Sequence, residues 1–347
     1  MIYKNIGIAL KRITFITFGI IQLIYAGGIY SQVTMNGGKG LFRVLSAETV
    51  NSTDIFVNGT FSAFYTKTGP EALAKYYCVN LNGTAGIAKK LELFLNIVPY
   101  QDDQHHIWGR FGDTRFGIKY LTPLSTSTFK FGLMGFYKFV TAGVPNVPYE
   151  IFSTDRPGWG TKALFTFDLL DVFPSYPVKV DLNFGYMDHD IGDQFFISKY
   201  DQLLFGTGFK FSIRSIQVYA EYSGEIFFNN PGKIAFGQNS MRITPGIRFL
   251  GPWQNTFDIA LDFSLTSYDS LKNKTPFHKE YFGWKATIGV THHFSVYKYF
   301  DKTAKLERQK KMEELKKLET IRKKREKANE DLEKMKEILD KKKSKEK

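Results

Sequence analysis

The sequence lacks the features that stabilise small disulfide-rich domains or helical membrane proteins. Cys78 is the only cysteine, so no intrachain disulfide can form and no cysteine near the amino terminus could carry a lipid anchor. After Ala26 no run of eighteen apolar residues occurs, which argues against a transmembrane helix in the rest of the chain. The sequence therefore favours neither a disulfide scaffold nor a helical membrane bundle.

Aromatic residues are abundant, although the chain as a whole is not very apolar. They make up 16% of the 347 residues, with 33 Phe and 19 Tyr, while the mean hydropathy is −0.24. Strands with one apolar and one polar face produce this combination, whereas helical membrane proteins are far more apolar. The composition is typical of half-buried strands.

The amino terminus has the organisation of an export signal. Lys4, Lys11 and Arg12 precede an apolar run over residues 13–25, and Ala26 supplies the small residue expected before a cleavage site. We expect residues 1–26 to be a cleaved signal peptide. The alternative is an uncleaved membrane anchor, for which the apolar run is short.

The formal charge of +13 is concentrated at the two ends of the chain. Residues 301–347 contain 19 basic and 12 acidic side chains, and residues 1–26 contain three basic ones and no acidic one. The remaining body carries only about +3, which is too little for a nucleic-acid footprint. No nucleic-acid partner is expected.

Twelve segments alternate between apolar and polar residues with a period of two. Residues 178–187 are a clear example, because Val, Val, Leu, Phe and Tyr alternate with Lys, Asp, Asn, Gly and Met. Each segment therefore has one face suited to lipid. The pattern predicts an all-β fold, an antiparallel up-and-down transmembrane β-barrel over residues 53–294. The predicted strands are residues 53–65, 76–87, 91–98, 110–120, 128–139, 161–170, 178–187, 202–211, 216–226, 241–249, 256–265 and 284–294.

The last predicted strand, from Trp284 to Phe294, is long enough to cross a bilayer and ends on an aromatic residue. Its polar Thr287, its Gly289 and its terminal Phe294 resemble the carboxy-terminal assembly signal of bacterial outer-membrane barrels, although His292 stands where that signal has an apolar residue. The resemblance implies the barrel-assembly machinery as a partner and outer-membrane lipid as the surroundings.

The connections between the predicted strands alternate in length. Those after odd-numbered strands are long and those after even-numbered strands are short, as in outer-membrane barrels with long external loops and short periplasmic turns. An even strand number then places the first and the last strand's outer termini, and so both ends of the chain, in the periplasm. Pro245 lies within the tenth strand, where it removes a ladder hydrogen bond, so we expect a bulge or a different strand boundary there.

Charged residues fall on the predicted inward faces with nearly balanced signs. They form either a salt-bridge network that holds the wall rigid or the polar lining of a channel. Residues 27–52 are expected to form a periplasmic segment, of which residues 40–50 could enter the lumen as a partial plug. The lumen-lining candidates are Arg115, Lys119, Lys130, Lys179, Asp181, Arg242, Arg248, Asp258 and Asp262.

Residues 295–347 change to a composition dominated by Lys, Glu, Arg and Leu. Apolar residues recur there at intervals of three and four, interrupted by Arg325, which predicts a charged periplasmic helix with a short coiled-coil seam. A lone charged helix and a disordered basic tail are the alternatives. The basic excess suits contact with the anionic cell wall or with a periplasmic partner protein.

Three blocks carry a resemblance to a known family: GLFRVLSAETV (residues 40–50), LELFLNI (residues 91–97) and GDTRFGIKY (residues 112–120). They resemble the start of bacterial outer-membrane barrels that often precede an outer-membrane-protein-A-like peptidoglycan-binding domain. The resemblance implies an envelope location, a porin-like or structural role, and attachment to the wall. The chain departs from that pattern because a charged helix replaces the wall-binding domain.

An enzymatic barrel is the alternative function. Outer-membrane proteases of the omptin type use acidic residues opposite an Asp–His pair at the outer rim. Side chains of these types occur here in two predicted external loops, but with a different spacing. We therefore predict no catalytic, cofactor or metal site, and expect a passive porin-like channel or a structural envelope protein. The loop residues are Asp102, Asp103, His105, His106, Asp188, His189 and Asp190.

Overall fold

In the part of the chain that it describes, a computed structural model shows twelve β-strands, β1 to β12, and one 3₁₀ turn, Leu169–Asp171. The structure describes residues 33–67, 73–102, 109–142, 156–171, 177–193, 196, 201–213, 215–227, 229, 239–265, 283–295 and 312. In chain order the strands are Asp54–Lys67, Leu73–Ala88, Leu91–Gln101, Thr114–Leu121, Phe129–Phe139, Gly158–Asp168, Val178–Asp188, Gln202–Ile213, Ile216–Phe227, Ser240–Leu250, Asn255–Ser264 and Trp284–Ser295.

The strands form one closed antiparallel barrel. Each strand pairs with its neighbours in sequence, and β1 pairs with β12 from Asp54↔Ser295 to Ala63↔Ala286. Closure matters because lipid offers no hydrogen-bond partner to an open sheet edge. Since the strand number is even, β1 begins and β12 ends at the same end of the barrel, called here the near end. The opposite end is called the far end.

The predicted twelve-strand barrel is confirmed, with two local corrections. β1 and β2 extend further than the alternation indicated, so only residues 68–72 join them and the expected long first loop is wrong. The expected bulge or boundary at Pro245 is also wrong. The pairs Ile243↔Phe263 and Gly246↔Ala260 keep one register on either side of Pro245, which lies within β10.

The outer surface of the barrel is apolar and its inner surface is polar. β11 alternates strictly, with Phe257, Ile259, Leu261 and Phe263 exposed and the residues between them buried, except at the strand's two ends. Every other strand except β6 also places exposed apolar side chains, mostly Phe, Ile, Leu and Val, on this outer surface. Such a band is what a lipid-facing barrel surface requires.

The lipid-facing assignment predicts a depth-dependent cost for an added charge. Ile259 lies in the middle of β11 and is 48% exposed, so Ile259→Lys should cost about 2–4 kcal/mol of unfolding free energy in a bilayer. Leu265, which follows the far end of the same strand and is also exposed, is the matched control, and Leu265→Lys should cost only about 0–1 kcal/mol. Denaturant unfolding in lipid vesicles measures both, and equal costs would contradict the assignment.

The two ends of the chain lie almost wholly outside the described residues. The predicted signal peptide, residues 1–26, is one such part. Residues 296–347 form a separate unit in which only Met312 is described, as helical. The charged helix and its coiled-coil seam therefore stay predictions. No helix among the described residues is long and apolar enough to cross a membrane.

Candidate functional site

The interior of the barrel contains the chain that precedes β1. Residues 33–50, called here the inner segment, are mostly buried, and Leu41, Ala47 and Val50 are completely so. The segment has no regular secondary structure beyond the bridges Val33↔Lys39 and Gly40↔Leu45. Some of its backbone groups bond to one another, as the Met35 amide does to the Phe42 carbonyl, and the others need partners on the barrel because an unpaired buried peptide group is costly.

A glycine pair makes the first turn of the inner segment. Gly37 and Gly38 have φ values of 88° and 86°, which residues with a side chain rarely adopt. A β-carbon on Gly37 would also lie 2.7 Å from Cδ2 of Phe94 on β3. The turn is closed by a hydrogen bond from the Gly37 amide to the Thr34 carbonyl at 3.1 Å. The glycines of the sequence GGKG therefore allow a tight turn that packs closely against Phe94 of β3.

Two carboxylates on opposite sides of the barrel accept hydrogen bonds from the inner segment. Glu221 on β9 accepts the amides of Phe42 at 2.7 Å and Arg43 at 2.8 Å. Glu92 on β3 accepts the amides of Lys39 and Val50, each at 2.8 Å. Since β3 and β9 are six strands apart in a twelve-strand barrel, the segment crosses the interior between them.

Neutral side chains of the wall satisfy further backbone groups. Asn183 on β7 accepts the Leu45 amide at 2.8 Å and donates to the Leu45 carbonyl at 2.7 Å. Thr166 on β6 accepts the Ala47 amide at 2.9 Å, and the Asn82 side-chain amide on β2 donates to the Thr34 carbonyl at 3.0 Å. These side-chain hydrogen bonds satisfy backbone groups of the inner segment that strand pairing would satisfy in a sheet, although the segment is not part of the sheet.

Ion pairs add a second kind of attachment. Arg43 pairs with Asp262 on β11 at 2.5 Å, and Glu48 pairs with Lys39 at 2.7 Å, with Lys179 at 3.1 Å and with Lys130. Burial alone would raise the pKa of Glu48, but these three ammonium groups outweigh it and hold the pKa well below its usual value. Glu48 therefore stays ionised.

Other ion pairs lie within the wall. Lys119 and Glu92 are joined at 2.9 Å with both side chains fully buried, and Arg248 reaches Asp258 at 2.5 Å. Arg248 also donates to the Leu41 carbonyl at 3.0 Å, which links this pair to the inner segment. Buried charges are tolerable only when they are paired in this way.

The nine lumen-lining candidates all fall on the inner surface. Lys119, Arg248, Asp258, Asp262 and Asp181 are at most 5% exposed, and the other four are less deeply buried. The structure divides them among separate groups. Lys130 and Lys179 meet at Glu48, Asp181 pairs with Lys210 at 3.4 Å, and Asp262 lies 3.5 Å from Lys285. Arg115 and Arg242 lie on β4 and β10.

Sequence reasoning missed the wall glycines that make room for the inner segment. Gly206 and Gly208 on β8 face inward, and a β-carbon on Gly208 would lie 2.4 Å from Cδ1 of Leu41. Val44 approaches Gly206 in the same way, at 3.0 Å. The available signal was a pair of strand glycines at a spacing of two, which indicates close approach of another backbone or side chain.

The loop residues of the protease alternative are only partly described. Asp103, His105 and His106 lie outside the described residues. His189 is completely buried, with its Nε2 2.9 Å from Oε1 of Gln202 and its Nδ1 3.4 Å from Nζ of Lys138. Burial and the nearby Lys138 ammonium hold the pKa of His189 well below its ordinary value. The ring is thus neutral and closed to a substrate in this conformation.

Asp188 and Asp190 are part of the same turn. Asp188 Oδ1 accepts the Asp190 amide at 2.8 Å, and Asp190 pairs with Arg156. Both carboxylates therefore hold the chain at the far end of β7. The described residues include no group of three or more His, Cys, Asp or Glu side chains arranged to hold a metal ion.

Comparisons with known proteins find likeness only in solved structures. No protein-family model matches the sequence, and no curated protein matches it. A KdgM porin has 6% identity and a TM-score of 0.44, covering 69% of this chain and 99% of its own. A NanC porin has 10% identity and a TM-score of 0.44, with coverages of 69% and 98%. An outer-membrane channel from Pseudomonas putida F1 has 10% identity and a TM-score of 0.45, with coverages of 72% and 98%.

The closed topology and the apolar exterior, rather than these distant likenesses, decide the class of the protein. The chain is a transmembrane β-barrel of the outer-membrane type.

Proposed function

We propose that the chain is a passive porin-like channel of the bacterial outer membrane, partly plugged by its own inner segment. The observation that supports this most directly is the way the segment is held. Side chains of the wall bind it, through contacts such as Glu221 with the Phe42 and Arg43 amides, and no strand of the barrel pairs with it. The segment can therefore shift without opening the sheet, so the wall and the plug are separable.

Conductance in planar bilayers tests the proposal. The full chain should give discrete but small current steps, because the inner segment narrows the bore that twelve strands leave open. A sample unfolded by heat is the control and should give no steps. If the folded chain gives no steps at any voltage, the channel is excluded and a structural envelope role, the alternative, takes its place.

We also propose that the near end of the barrel faces the periplasm, where the basic tail contacts the cell wall or a periplasmic partner. The support is the charge pattern of residues 301–347 and the resemblance to barrels that precede a peptidoglycan-binding domain. The full chain should sediment with purified peptidoglycan, and a chain ending at Ser295 should not. Equal sedimentation of the two would contradict wall contact through the tail.

The strand that closes the barrel is the proposed contact for the assembly machinery. β12 runs from Trp284 to Ser295 and includes Phe294, which is 49% exposed on the outer surface. An exposed aromatic residue near the end of the last strand suits recognition during insertion. Phe294→Ala should therefore lower the amount of folded protein in the outer membrane without changing the stability of molecules already folded.

A further inference from the structure

The barrel wall holds the inner segment largely by the amides and carbonyls of its main chain. Besides the contacts described above, the Gly38 amide donates to Oγ1 of Thr84 on β2 at 2.9 Å, and Lys119 donates to the Lys39 carbonyl at 3.1 Å. Such contacts extend from the carbonyl at position 34 to the amide at position 50. Every residue except proline carries the same amide and carbonyl, so these contacts do not depend on the side chains of the bound segment.

Two apolar clusters receive side chains of the inner segment. Leu45 belongs to one cluster with buried side chains of β3, β5, β6, β7 and β8. Leu41 and Phe42 belong to another, with Tyr219 of β9 and Ala260 of β11. The amides that Glu221 accepts, at positions 42–44, therefore have an apolar cluster on either side along the chain. This arrangement suits a short peptide with apolar side chains.

The two ends of the inner segment lie together. Val33 and Val50 share one buried cluster with Phe56, which lies two residues after the start of β1 at the near end. The described segment is therefore a loop that enters and leaves the interior at the same end. A loop of this kind can withdraw without passing through the bore and without breaking a strand pair.

We propose that the interior of the barrel is a binding site for short peptides with apolar side chains, and that the inner segment occupies this site as a tethered peptide. Glu221, Asn183 and Arg248 bind the main chain of the peptide, and the two clusters receive its apolar side chains. A tethered segment competes at an effective concentration of about 1 mM, so a free peptide binds well only after the segment withdraws. The inference rests on the proposed channel with a movable plug and gives that channel a substrate class.

Peptide binding to a chain whose inner segment cannot make its turn tests the site. The full chain with Gly37→Val and Gly38→Val has β-branched residues where φ is 88° and 86°, and no wall residue is changed. The probe is a fluorescent peptide with the sequence of residues 38–48 and blocked ends, followed by anisotropy in detergent. It should bind this variant at least about tenfold more tightly than the unmodified chain.

The matched control host is Gly83→Val. Gly83 faces outward on β2, where a β-carbon would have no neighbour within 4 Å, so this host should bind the peptide like the unmodified chain. Arg43→Ala provides a second released host, because it removes the pair with Asp262 and keeps the glycine turn. It should also bind the peptide more tightly than the unmodified chain does. Heat-modifiable gel migration checks that each host is folded.

A change in the probe tests whether the main chain is recognised. A peptide N-methylated at Phe42 and Arg43 keeps every side chain and loses two amides of the kind that Glu221 accepts. It should bind the released hosts at least about tenfold more weakly than the unmodified peptide. Glu221→Ala in a released host should weaken binding of the unmodified peptide and not of the N-methylated one, which places the peptide where the inner segment lies.

Two results would overturn the peptide site. One is that the released hosts bind the peptide no better than the unmodified chain does, and the other is that the two peptides bind equally. Anisotropy needs no ion current, so a chain that binds the peptide but gives no current steps keeps the site and loses the channel. A chain that gives current steps but fails to bind the peptide does the reverse.

Discussion

Glu221→Ala is expected to increase, at least about tenfold, the fraction of time that the proposed channel spends in a state of larger conductance, in which the inner segment has moved out of the bore. The Glu221 carboxylate accepts the amides of Phe42, Arg43 and Val44, at 2.7, 2.8 and 3.3 Å. Each hydrogen bond contributes about 0.5–1.5 kcal/mol, so the loss of three exceeds the change of about 1.4 kcal/mol that shifts an equilibrium tenfold. Single-channel recording in planar bilayers measures the change.

The matched control removes a carboxylate that does not bind the inner segment. Asp168 on β6 pairs with Lys179 at 2.5 Å, at the near end of the barrel. Asp168→Ala should leave the recordings close to those of the unmodified chain. If Glu221→Ala behaves like Asp168→Ala, the inner segment does not control the current, and the plug proposal fails while the fold stands.

Glu92→Ala should be the most destabilising single substitution in the interior. Lys119 and Glu92 are 0% exposed, and removing the carboxylate leaves the Lys119 ammonium buried without its main counter-charge. Breaking a buried pair in this way costs about 3–5 kcal/mol. Glu92 also accepts the Lys39 and Val50 amides, so the same change loosens the inner segment.

Denaturant unfolding in detergent, followed by heat-modifiable migration, measures this loss. Asp168→Ala is again the comparison, because its partner Lys179 has a side chain that is 29% exposed and keeps Glu48 as a second carboxylate. A partly exposed pair contributes about 0–1 kcal/mol. Equal losses for the two variants would mean that Lys119 is hydrated rather than sealed in the wall.

The strands could be predicted from the sequence because apolar and polar residues alternate along each strand, which shows which residues face lipid and which face the interior. In β11, Phe257, Ile259, Leu261 and Phe263 must face lipid, and a shift of one residue would turn all of them inward. Closure then follows from the absence of hydrogen-bond partners in lipid. The end of β1 at Lys67 was less predictable, because the residues next to the loop no longer alternate between apolar and polar types.

The arrangement of the interior was only partly predictable. Inward charges such as Lys119 and Asp262 could be recognised from the alternation. Their partners could not, because the pairs Lys119–Glu92 and Arg43–Asp262 depend on strand register and on the path of an irregular segment. The turn at Gly37 and Gly38 has a local signature, but the wall glycine that receives Leu41 lies far away in sequence, at position 208.

A cross-link between the inner segment and the barrel wall tests most directly whether the inner segment lies inside the barrel. A β-carbon on Gly208 would lie 3.4 Å from Cβ of Val44, close to the separation of about 3.5–4.5 Å found in disulfides. The variant combines Val44→Cys and Gly208→Cys with Cys78→Ser, and with Leu41→Ala because the Leu41 side chain would otherwise lie 2.4 Å from the new β-carbon at position 208. The control pairs Val44→Cys with Gly135→Cys, which faces outward on β5.

Mild oxidation of the folded protein in membranes should join positions 44 and 208 by a disulfide. Mass spectrometry should detect the linked peptides, and the 44/135 control should give none. The locked protein should also keep its small conductance when Glu221→Ala is added, until a reductant is supplied. Folded protein in which both thiols stay free and reactive after oxidation would show instead that the inner segment lies outside the barrel.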